Sequence, residues 1–181
     1  MTAQRSCILV ALAAFALLMG ARGTLGQTPP ASPMMGTPSA DPMAAITSET
    51  LGSGVPSAAP GQVFELASVT FAPGATIPFH TNPGSQIVSV VSGELTLMAI
   101  QAGGQLMSAS AEEGTPVPTP VEPGASIVLH VGDGFFFPQG TVHLLHNAGT
   151  EPAVIMVATL FAVDQPDLVW TNDEGTPIPE E

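Results

Sequence analysis

From Gln62 onward the chain breaks into short apolar stretches, each cut off by glycine or proline. That interruption suits strands, which need only a handful of residues, and leaves no credible helix. Residues 63–71 alternate in part between apolar and polar. Pro73-Gly74 then signals a turn, and residues 75–80 form a short strand that Pro78 confines to an edge or a bend. Asn82-Pro83-Gly84 signals another turn. Residues 86–91 and 94–100 flank Ser92-Gly93 and read as a hairpin. Residues 102–124 read as a long connection whose Pro- and Glu-rich centre, 112–123, is a solvated loop. Strands resume at 126–131, 135–137 and 141–146. The last, 153–163, is β-branched enough for a buried strand and too short for a membrane span. Roughly eight short strands predict an all-β barrel or sandwich.

The densest punctuation lies at residues 132–147, GDGFFFPQGTVHLLHN. Gly132, Pro138, Gly140, His143 and Asn147 follow the spacing Gly, five residues, Pro, one, Gly, two, His, three, Asn. This resembles the second sequence motif of the cupin family. Upstream, Gly74, His80 and Gly93 fit the first motif, in which a second His, a Glu and their spacings are also fixed. Here Asn82 stands at the second His position and Gln86 at the Glu position. The resemblance covers about 63–163. It implies a cupin double-stranded β-helix, or jelly-roll barrel, whose inward side chains line one small cavity. It also puts His80, Asn82, Gln86 and His143 at the four metal-ligand positions, and implies a homodimer paired through outer strands.

The ligand types limit what such a site can do. The usual three His and one Glu bring a negative charge to a divalent cation. Two His and two amides bring none, so binding of Mn, Fe, Ni, Cu or Zn is expected to be weaker than in a standard cupin. Without the carboxylate, Lewis-acid work is favoured over oxidation of the metal by dioxygen. The alternative is a metal-free pocket in which His80 and His143 are hydrogen-bonded core residues. Strand alternation turns His146 away from His143. Gly93, Gly132 and Gly140 read as turn glycines, Phe135–Phe137 as core, and Asp133 as a solvated turn residue. No organic cofactor, phosphate loop or Ser-His-Asp arrangement is legible.

The ends divide the remainder. Residues 1–26 read as a secretion signal peptide, with Arg5 as the basic end and an apolar run over 7–19. Residues 27–60 read as a Pro/Ser/Ala-rich flexible linker, 61–163 as the cupin domain, and 164–181 as an acidic, Pro-containing tail. Trp170 is the one tail residue expected to pack on the barrel. Arg5 and Arg22 are the only basic residues and Cys7 the only cysteine. A mature chain would thus carry all 15 acidic residues with no Lys, Arg or thiol. That excludes disulfides and argues against a nucleic-acid partner, since nothing remains to neutralise phosphate. Stable membrane insertion of the mature chain is not expected either. A site without Lys or Arg cannot clamp a carboxylate, so neutral or cationic small molecules are the expected partners. The reading is a secreted cupin that binds a small molecule in its barrel, with a divalent metal admitted by the resemblance. A metal-dependent isomerase, lyase or dioxygenase acting on a small neutral substrate is the alternative, and catalysis is left open.

Overall fold

The computed structural model describes residues 42–101, 103–109 and 117–179, all within the unit Thr37–Glu181. The signal-peptide reading of 1–26 lies outside the described residues, as does the linker up to residue 41. A 3-10 turn, Pro42–Ala45, leads into β1 (Ile46–Gly54), β2 (Gln62–Phe71), β3 (Thr76–Thr81), β4 (Ser85–Ser92) and β5 (Leu95–Gln101). Then follow β6 (Gly104–Met107), β7 (Thr119–Val121), β8 (Ser126–Leu129), β9 (Gly134–Phe137), β10 (Val142–His146), β11 (Ala153–Ala162) and β12 (Val169–Trp170). They form a seven-stranded sheet, β1-β2-β11-β4-β9-β6-β7, and a five-stranded sheet, β12-β3-β10-β5-β8. The two face each other as a jelly-roll barrel, in line with the all-β expectation.

Alternation decides which side chains fill the interior. On β4, Gln86, Val88 and Val90 are buried while Ile87 and Val91 are exposed. On β5, Leu95, Leu97 and Ala99 are buried. Val88, Val90, Leu95 and Leu97 join Phe71, Leu129, Phe135, Phe137, Leu145 and Ile155 in one apolar core between the sheets. Asn147 ties the end of β10 to this core. Its Nδ2 donates to the carbonyls of Phe71, Ala72 and Glu151 at 2.9–3.2 Å, and its Oδ1 accepts from the Gly149 N–H.

Four expectations are corrected. β4 and β5 do not form a hairpin. They lie in different sheets, β4 between β11 and β9, and β5 between β10 and β8. Gly93 turns the corner at φ 71, and a Cβ there would lie 2.8 Å from the Pro152 carbonyl oxygen, so only glycine passes. Residues 46–54 are not linker. They form edge strand β1, antiparallel to β2 with a bulge at Thr50/Gly52. Eight of its nine residues are exposed, so no apolar alternation marks it in the sequence. The tail from 164 is not loose throughout: Val169 and Trp170 pair with Thr81 and His80, and Thr171 bridges Pro177. The connection 102–124 contributes β6 and β7 to the sheet edge, while its residues 110–116 lie outside the described residues.

Candidate functional site

β3 and β10 are antiparallel neighbours, and their register puts His80 directly opposite His143. The two rings sit 4.2 Å apart, centroid to centroid. Each Nδ1 faces a carbonyl two residues back: Pro78 O at 2.8 Å for His80 and Thr141 O at 3.0 Å for His143. A carbonyl only accepts, so each Nδ1 carries the proton and each Nε2 presents a lone pair. Phe137 packs on His143 at 4.2 Å, and Trp170 meets His80 edge-on at 6.0 Å.

Gln86 reaches across from the other sheet. Its Nε2 donates to His143 Nε2 at 3.2 Å and to Asn82 Oδ1 at 3.0 Å. Asn82, in the turn after β3, donates onward to the Asp167 carbonyl at 2.9 Å. Thus the four residues expected at the site do come together, as one network joining the two sheets. They are not equivalent, however. His80, Asn82 and Gln86 line an inter-sheet cavity of about 400 Å³, whereas His143 is fully buried behind Gln86 and is absent from the cavity wall.

Burial governs the charge state. It pushes His80 below the ordinary imidazole value, and the Pro78 carbonyl only partly opposes it. Burial, helped by neighbouring His80, pushes His143 down to about 3 against the pull of the Thr141 carbonyl. Both are therefore neutral at pH 7.

The donor set fits a divalent cation in part. Two imidazole nitrogens with anchored Nδ1–H groups are what metal-ligating histidines require. No carboxylate joins them: among the described residues no three His, Cys, Asp or Glu converge on a possible metal position. Gln86 also presents its amide nitrogen to His143, so its amide would have to turn over before its oxygen could ligate.

Comparison with known proteins places this architecture. The sequence profile of the Cupin family matches residues 61–167, more than half of the chain. The chain belongs to the cupin family. A germin-like protein of Morus alba is 32% identical to this cupin over 99 residues, covering 54% of the chain and 39% of that protein. An auxin-binding protein, ABP19b, of Prunus persica is 32% identical over 125 residues, covering 65% of the chain and 50% of that protein. These matches span about half the length, or less, of the curated relatives. Among solved structures, an oxalate oxidase in complex with the substrate analogue glycolate aligns at TM-score 0.44 and 24% identity, over 75% of this chain and 61% of that one.

Sequence reasoning missed several residues of this cupin's cavity. Glu65 on β2 and Thr159 on β11 line it, and Asp164 and Asp167 stand at its mouth. The signal was present: Glu65 shares alternation parity with Val63, Ala67 and Val69, and Thr159 is the one polar residue of AVIMVATLFAV. Asp133, expected to be solvated, is buried. It accepts the backbone N–H groups of Ala109 at 2.8 Å and His130 at 2.9 Å. His130 is exposed beside it. His146 turns away from the site and meets the Thr76 hydroxyl at 2.8 Å.

Proposed function

We propose that this cupin binds a small organic molecule, neutral or cationic, in the inter-sheet cavity, and does so outside the cytoplasm. The observation that carries the reading is the cavity: about 400 Å³, walled mostly by aliphatic side chains, with His80, Asn82 and Gln86 among its lining. Such a cavity, largely apolar with a few polar groups, is the usual form of a small-molecule site. Gln86 serves both His143 and Asn82, so these three side chains are partnered without an added ion, while Nε2 of His80 is left for an occupant. Export rests on the basic start and apolar run of residues 1–26.

A second reading, a divalent metal held by His80, Asn82, Gln86 and His143, is favoured by the two anchored Nδ1–H groups. When bound, the ion would supply Lewis-acid polarisation of a substrate oxygen, the basis of an isomerase- or lyase-type activity. Metal analysis of protein purified without added metal or an affinity tag separates the two. The first reading expects no stoichiometric metal. It also expects no heat on titration with Mn, Fe, Ni, Cu or Zn, and saturable fluorescence changes of Trp170, the only tryptophan, with small organic molecules. Stoichiometric metal that is lost in His143→Ala and tightened by Asn82→His with Gln86→Glu would establish the second.

A further inference from the structure

Along β2, β11 and β4 the cavity wall is apolar in every row but one, and Ser48 of edge strand β1 adds a hydroxyl beside Val69. Register sets Val63 beside Phe161, then Ala67 beside Val157, which neighbours Val88, then Val69 beside Ile155, which in turn neighbours Val90. Between the first two of these rows stands Glu65, beside Thr159, which neighbours Gln86. All three of these polar residues line the cavity. Their sequence neighbours Phe64, Leu66 and Ile87 are exposed on the outer face, so the inward parity of the row is fixed by the whole sheet.

Glu65 is half-buried, and a carboxylate beside apolar surface attracts a ligand group of opposite charge. Among the described residues Glu65 has one hydrogen bond, from the Thr50 hydroxyl at 3.3 Å, and no cationic partner. The chain cannot supply one from beyond residue 22, because no Lys or Arg follows Arg22. Independently, the opposite sheet presents a hydrogen-bond acceptor to the same space. His80 is only 3% exposed, lines the cavity and has its Nδ1 committed to Pro78. Among the described residues nothing donates to its Nε2. One wall thus lacks a cation and the other lacks a hydrogen-bond donor.

We propose that the ligand is an organic ammonium, a primary or secondary amine with an apolar body. Its charged nitrogen faces the Glu65–Thr159–Gln86 row, its hydrocarbon part lies on Ala67, Val157 and Ile155, and a donor on the ligand meets Nε2 of His80. Asp164 and Asp167 at the mouth add a field that draws cations inward. This rests on the small-molecule reading of the cavity and goes further by fixing the charge and the residue that reads it.

The test compares three probes of matched length, hexylammonium, 1-hexanol and hexanoate, on the full chain at pH 7. Calorimetry gives the affinities, and fluorescence of Trp170, which packs on His80, reports the same wall. The expected result is hexylammonium binding about tenfold more tightly than 1-hexanol, as a charge-assisted hydrogen bond would give, with hexanoate weakest. Glu65→Gln should erase the preference for the ammonium over 1-hexanol. Equal affinity for alcohol and ammonium in the wild type overturns the proposal while leaving the cavity reading in place. So does an ammonium preference that survives Glu65→Gln. If none of the three binds, both readings fall. The wild-type comparison decides the matter even if Glu65→Gln does not fold.

Discussion

Gln86 illustrates how much one side chain can settle. An amide can donate to His143 and Asn82 at once, which a carboxylate at this position could not do. The result is a network that partners Gln86, Asn82 and His143, with both histidines held neutral by burial. The unfolded chain would let those imidazoles protonate near their ordinary value of 6.5, while folded His143 does so only near 3. Between these values the unfolded state binds more protons. The share of stability owed to His143 is therefore complete above pH 6.5 and falls as pH drops through that window, by up to ~1.4 kcal/mol per pH unit, and the lowered His80 acts in the same direction. Asp133 acts lower. Burial alone would raise its carboxyl, but hydrogen bonds from His130, Ala109 and Ser108 overrule it and hold it below 3.8. Its contribution is present above that value and is lost as pH falls through the folded one. Urea melts at pH 7, 6 and 5 should show decreasing stability, with a shallower slope in His143→Gln; equal stability at the three pH values would contradict the burial of both rings. At the far end of β10, Asn147→Ala strands the Phe71 and Ala72 carbonyls and should cost about 1–3 kcal/mol in the same melts. A loss below a few tenths of a kcal/mol would mean that water replaces the amide.

At the scale of elements, what could be read from the sequence followed from local chemistry. The glycines at 93, 132 and 140 read as turns, and all three have positive φ. The spacing from Gly132 to Asn147 gave β9, the turn, β10 and the placement of His143. What escaped depends on long-range pairing. Ser92-Gly93 looks the same whether the next strand folds back or crosses to the other sheet; the crossing is set by β11 and β9 flanking β4. β1 escaped because an edge strand exposed on both faces carries no alternation. Glu65 and Thr159 escaped as a pair because their adjacency needs the register of β2 on β11. Two measurements test these elements. Gly93→Ala should cost at least about 1–2 kcal/mol, the penalty for a Cβ in the left-handed region, plus the clash with the Pro152 carbonyl. Near-neutral stability would deny the crossing. Hydrogen exchange should show alternate amides of Ile46–Gly54 protected by β2; exchange as fast as in an open peptide would return that segment to linker.

For the whole molecule, composition and architecture point the same way. A chain with no Lys or Arg beyond Arg22 surrounds an apolar cavity with carboxylates at its mouth and one on its wall. The apolar core packs between the same two sheets. The central claim is that this space between the sheets receives a small organic molecule against His80 and Gln86. The most direct measurement is a titration of the isotope-labelled protein with small neutral and cationic organic molecules, followed by nuclear magnetic resonance of backbone and side-chain amides. The account predicts saturable shifts concentrated at the Gln86 side-chain amide and at the backbones of Ala67, His80, Val88 and Val157, with little change at the outer-face positions Phe64, Leu66 and Ile87. Shifts confined to that outer face, or no saturable shift with any member of the panel, would contradict it.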